Sequence, residues 1–155
     1  VADTVQLSGE FGRAFVLVTA TAPDFIVEAE IGAYTGDWAN APILVIRGTN
    51  SENCVGLSVT ATGRVQIVKR SGGSGSTLSL APTGVVAVGD KLSALAKSDG
   101  TFSAYLNGTL LTTASDTQFL TTGTRCGVGL AFSSPTAPKT IGWDNFVSRV
   151  PGDLR

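Results

Sequence analysis

Three short stretches of this chain gather side chains that could do chemistry. In "VEAEI", Glu28 and Glu30 stand two residues apart, so on a strand both carboxylates leave the same face. "YTGDWANAP", Tyr34 to Pro42, holds Tyr34, Asp37, Trp38 and Asn40 close together, and Arg47, Asn50 and Asn53 follow across the next strand and turn. An aromatic face stacks on the apolar side of a ring, while amide, carboxylate and guanidinium groups serve its hydroxyls. "TIGWDNFVSRV" sets Trp143, Asp144 and Asn145 side by side, either as a reactive cluster or as the anchor of a strand.

Histidine is absent, which removes a Ser-His-Asp triad, a Cys-His dyad and the usual His-bearing zinc sites. Cys54 and Cys126 are the only cysteines, too few for a thiolate metal site. They read as two buried small apolar residues, with a disulfide as the alternative. "WDN" therefore loses its claim to be an active site and reads as the anchor of a strand.

The elements that must carry these residues are strands. At 155 residues the chain fits one domain, residues 1–155, with a single core. Apolar residues make up 43% and charged ones 15%, which argues against disorder, and 19 glycines with many Ser, Thr and Val residues point to short strands and turns. The net charge of −1, with no basic run beyond Lys69-Arg70, gives no footprint for nucleic acid. No apolar run reaches the roughly 18 residues that span a bilayer, so membrane insertion is not expected. Methionine is missing, position 1 included, which predicts a processed product or a fragment of a longer protein.

"RAFVLVTA" is rich in β-branched and aromatic residues, and "TAPDF" turns the chain into "FIVEAEIGAY", where Phe25, Val27, Ala29 and Ile31 share one face and Ile26, Glu28 and Glu30 the other. "PILVIRG" and "CVGLSVTATGRVQIVKR" follow, the latter with a hairpin turn at Gly63. "SGGSGST" reads as a flexible loop. "GDKLSALAKSDG" is short enough to be a strand rather than a helix, and Asn107-Gly108 is the strongest hairpin signal, a simpler reading than the glycosylation sequon it also forms with Thr109. With "CGVGLAF" and "TIGWDNFVSRV" the count is nine or ten strands, an all-β, two-sheet antiparallel sandwich. Strict alternation along the last segment puts Trp143 and Asn145 on one face and Asp144, Phe146 and Ser148 on the other.

The order "DFIVEAEI", "ILVIRGTNSENCVGLSV", "RVQIVKR", "VAVGDKLSALAKSDGTFSAYLNGTLL", "GTRCGVGLAF" and "WDNFVSRV" resembles concanavalin A-like jelly-roll domains of the laminin G-like type. The run from Gly89 to Leu111 and the closing "WDNF" are its most specific parts. Such domains often open with a "DDF" strand and a tryptophan that this sequence lacks, so the opening strand is expected to come from elsewhere, or the sandwich to begin one strand later. The sequence also resembles lectin-like domains of bacteriophage tail and receptor-binding proteins, and modules on secreted bacterial glycosidases.

The resemblance implies three kinds of function. Glucanases of this type carry Glu-x-Asp-x-x-Glu on one strand; here the central Asp and third Glu are absent, so no enzyme is expected, and Glu28 and Glu30 read as solvated carboxylates. A non-catalytic carbohydrate-binding module would use Tyr34, Asp37, Trp38, Asn40 and Arg47, with a cell-surface or polymeric glycan as partner, at the virion surface or outside the cell. The bland alternative makes Trp38 a plug on the sandwich edge, Asp37 and Asn40 turn formers, and Arg47 a surface ion-pair partner of Glu52. A structural module would instead dock neighbouring domains of the same assembly or form a homo-oligomer. The resemblance also implies a structural calcium held by Asp144 and backbone carbonyls, against the alternative that Asp144 accepts backbone hydrogen bonds.

Overall fold

A computed structural model describes residues 5–9, 13–20, 22–36, 38, 42–131 and 139–152. Its strands are β1 (Val5–Gly9), β2 (Arg13–Thr19), β3 (Phe25–Thr35), β4 (Pro42–Asn50), β5 (Asn53–Val59), β6 (Arg64–Ser71), β7 (Ser74–Val85), β8 (Lys91–Ala96), β9 (Thr101–Leu106), β10 (Thr109–Ser115), β11 (Arg125–Ala131) and β12 (Lys139–Arg149). They form two six-stranded sheets, ordered β1-β12-β3-β8-β9-β10 and β2-β11-β4-β5-β6-β7, and every pairing is antiparallel. The all-β two-sheet sandwich is the architecture that the strand pattern predicts.

Period-2 alternation decides which face goes inward. On β3 Phe25, Val27, Ala29 and Ile31 are buried while Ile26, Glu28 and Glu30 are half-buried. Apolar residues of the two inner faces meet in one core, with Trp143, Phe102, Leu44, Ile46, Leu57 and Leu130 among its members. The indole Nε1–H of Trp143 on β12 donates across the core to the Gly129 carbonyl on β11, 3.2 Å away, so one side chain ties the two sheets. β12 also pairs with β1, Val5 opposite Trp143, which makes it the strand joining the ends of the described chain.

Two expectations are corrected. "SGGSGST" is not a loop: Ser71 pairs with Ser74, and Gly72 and Gly73 have φ of 57° and 83°, the left-handed pair that a tight two-residue hairpin needs. The residues that follow begin β7, a sheet-edge strand that is largely exposed, and so it lacks the apolar alternation that marks a strand in sequence. Strict alternation also fails on β12. Asn145 has φ of 52° and the register against β3 shifts between Asp144 and Val147, so the strand bulges there. Trp143 and Phe146, predicted to face opposite ways, both pack against the core.

Other turns follow their chemistry. Asn107 and Gly108 have φ of 51° and 82°, and the Asn107 amide is committed to the turn: its Oδ1 accepts from the Lys91 N–H at 2.9 Å and its Nδ2 donates to Asp90 at 2.8 Å. Both cysteines are buried and are not bonded to each other. Cys126 faces the core, whereas Cys54 lies with Ile43 and Val45 on the outer face of the β2-β11-β4-β5-β6-β7 sheet, under Phe15 and Leu17. The sheet lies between them, so the disulfide alternative fails on geometry. Replacing Trp143 by alanine removes both packing and the inter-sheet bond, and is expected to lower the unfolding free energy by about 3–5 kcal/mol in urea titrations. A loss below about 1 kcal/mol would contradict this placement of the core.

Candidate functional site

β3 carries a chemically distinct cluster near each end. Near its C-terminal end Tyr34 stacks on Trp38, ring centroids 4.1 Å apart and planes inclined by 14°. Both rings are half-buried and lean on the core, so one side of the pair is fixed by packing while the remainder reaches the surface. Tyr34 is held by the backbone, opposite Ile141 on β12. Asp37 and Asn40 lie outside the described residues. A pre-stacked aromatic pair offers a rigid apolar platform, and little side-chain entropy is lost when a ring settles on it.

Arg47 is not brought to this platform. It lies by the opposite end of β3, its guanidinium carbon 5.4 Å from the centroid of the Phe25 ring, and its Nη2 donates to the Pro23 carbonyl. Phe25 and Tyr34 are nine residues apart on one strand, on the order of 25–30 Å. Nor is Arg47 a surface ion-pair partner of Glu52: it is only 2% exposed. The side chain passes Gly123, where a Cβ would sit 2.7 Å from Arg47 Cγ, so glycine there makes room for the stem. Burial pushes the Arg47 pKa down, and the Asp24 carboxylate partly opposes that shift. Asp24 is itself anchored by the Ser98 N–H at 2.6 Å. Arg47 Nε is buried and donates to no acceptor among the described residues, a condition that costs about 1–3 kcal/mol when uncompensated. Beside it opens a pocket of about 300 Å³ walled by Ala22, Pro23, Phe25, Leu120 and Thr124. Sequence reading missed this pocket because "TAPDF" and "TTGTR" look like plain turns; an arginine inside the apolar run "ILVIRG" was the available signal.

The outer face of the β1-β12-β3-β8-β9-β10 sheet carries the carboxylates of Glu28, Glu30 and Asp144. Glu28 Oε2 accepts from Arg149 Nη2 at 3.4 Å, and Glu30 Oε2 accepts from Asn145 Nδ2 at 3.2 Å. Across β8, Glu28 stands opposite Ser93, which stands opposite Tyr105. Asp144 pairs with Glu30 and turns its carboxylate onto Gly32, where any Cβ would collide with it. Its Oδ1 is buried and accepts no hydrogen bond among the described residues. That oxygen is of the type that suits a hard cation such as calcium. Among the described residues, however, no three His, Cys, Asp or Glu side chains converge on a metal position, so backbone carbonyls would have to complete the set.

No protein-family model matches the chain, and no curated protein matches it significantly. Solved structures do resemble it in fold. The carbohydrate-binding module CBM66 from Bacillus subtilis superposes with a TM-score of 0.66 at 21% identity, covering 90% of this chain and 83% of that one. A sialidase gives a TM-score of 0.63 at 12% identity, over 97% of this chain but only 15% of the sialidase. Sheep galectin-11, solved in complex with glycerol, gives 0.55 at 15% identity, over 81% of this chain and 96% of that one. At these identities the likeness is one of fold.

The buried thiols give a pH-dependent test. Burial pushes the Cys126 pKa above its ordinary 9.0, so above that pH the unfolded chain loses the proton first and stability falls as pH rises. Below the ordinary value both states hold the proton and the group contributes no slope. Unfolding free energies measured from pH 7 to 10.5 are expected to decline more steeply above about pH 9 in the wild type than in Cys126→Ala. Equal slopes would contradict the burial. A thiol reagent should find no fast-reacting cysteine in the native protein and both in denaturant.

Proposed function

We infer that this chain is a non-catalytic carbohydrate-binding module whose platform is the Tyr34–Trp38 pair. The observation that carries the reading is the stacked geometry itself, a half-exposed aromatic surface at one end of a rigid strand. Asp37 and Asn40, next to Trp38 in sequence, would supply hydrogen bonds to the hydroxyls of a ring stacked there. The likeness to a carbohydrate-binding module and a galectin in fold supports the same class. Glu28 and Glu30 do not compete as a catalytic pair in this reading, since each already bonds to a neighbour on β12. The setting we propose is receptor recognition by a phage tail or a secreted bacterial protein, with a cell-surface or polymeric glycan as partner at the virion surface or outside the cell.

Because Trp143 is fully buried, a sugar that changes tryptophan emission reports on Trp38. A glycan array followed by fluorescence titration of the best neutral oligosaccharide is expected to give saturable binding that Trp38→Ala weakens about tenfold or more, the equivalent of about 1.4 kcal/mol. A flat array would overturn the reading and leave a structural module that docks neighbouring domains or assembles with copies of itself.

Calcium belongs to the same proposal. Asp144 Oδ1 would hold the ion, which would fix the β12 bulge by neutralising a buried carboxylate oxygen. Calcium at about 100 times its Kd is expected to add about 2.7 kcal/mol of stability in the wild type and none in Asp144→Asn. An unchanged melting temperature with and without EDTA would remove calcium from the account.

A further inference from the structure

We propose that the pocket beside Arg47 is a second binding site, distinct from the aromatic platform, and that it takes the carboxylate of a small organic acid, an acidic sugar or a simple acid. Arg47 is 2% exposed, its Nη2 is fixed by the Pro23 carbonyl, and its Nε–H is left without an acceptor among the described residues. One edge of the guanidinium is thus held while a neighbouring donor remains unused. A guanidinium is always charged under physiological conditions and matches a carboxylate with parallel N–H donors. Its orientation is set in advance by the Phe25 ring below it and by Gly123, which leaves room for its stem.

The pocket's size and lining narrow the ligand. About 300 Å³ is the lower end of ligand-sized cavities, enough for a small molecule or the terminal residue of a chain. Ala22, Pro23, Phe25 and Leu120 make its wall apolar, and Thr124 adds a hydroxyl. One cation in a mostly apolar recess favours a compact anion over a neutral polyol, whose hydroxyls would find few partners there. The charged groups bearing on Arg47 are few: Asp24 raises its pKa, and the Asp24 carboxylate is engaged by the Ser98 N–H. A second carboxylate at the guanidinium would complete the neutralisation of a buried cation.

The test follows the Arg47 Nε–Hε resonance in ¹⁵N-labelled full chain during titration with D-galacturonate, D-galactose and acetate. Galacturonate is expected to shift this resonance saturably with a Kd of roughly 1 mM, and galactose to leave it in place. Acetate equal to galacturonate would identify a bare-carboxylate site, and acetate weaker than galacturonate an acidic-sugar site; either supports the proposal. Ala22→Phe places a ring on the pocket wall, and should abolish the shift while the rest of the spectrum stays folded. No shift with either acid, or an equal shift with galactose, would overturn the proposal and leave Arg47 as a plug for the sandwich end. Trp38→Ala should leave this titration unchanged, so failure of the aromatic platform and failure of this pocket are told apart.

Discussion

The fold depends on β12 more than on any other strand. It pairs with β1 on one side and β3 on the other, and from its inner face Trp143 crosses the core to bond the Gly129 carbonyl of the facing sheet. A buried indole without a partner for its N–H would cost more than its packing near that nitrogen returns, so position 129 must present a carbonyl where Trp143 reaches. Glycine at 129 serves the other face: a Cβ there would meet Phe15, which instead covers the outer side of the sheet. One short stretch, "CGVGLAF", thus satisfies demands from both faces at once.

β3, braced by β12, is the strand that positions chemistry. Phe25 supports the guanidinium of Arg47 at one end and Tyr34 supports Trp38 at the other, while Glu28 and Glu30 between them bond back to Arg149 and Asn145 of β12. The bulge at Asn145 makes this possible. By rotating the strand it lets both Trp143 and Phe146 reach the core, and it leaves Asn145 and Asp144 on the acidic side. Glycine at position 32 is part of the same arrangement, because only a missing Cβ lets the Asp144 carboxylate lie there.

Much of the sandwich was legible because its signals are local. Alternation in "FIVEAEI" and the Asn107-Gly108 turn involve neighbours in sequence, and each holds in three dimensions. The failures are of three physical kinds. "SGGSGST" hides a hairpin because an exposed edge strand needs no apolar face. The Asn145 bulge is set by pairing with β3, which no local pattern announces. Arg47 was grouped with Trp38 because they are close in sequence, yet β4 carries it to the far end of β3, where "TAPDF" and "TTGTR" build a pocket from two distant turns.

If β12 and β3 form one cooperative unit, their amides must open together. Native-state hydrogen exchange at increasing, sub-denaturing urea measures this directly. The amides of Val27, Ala29, Ile31, Ile141 and Trp143 are predicted to merge onto one exchange isotherm with the global unfolding free energy and its denaturant slope. Exchange of the β12 amides through a separate opening of low energy and shallow slope, with β3 still protected, would contradict the dependence of both sites on that strand.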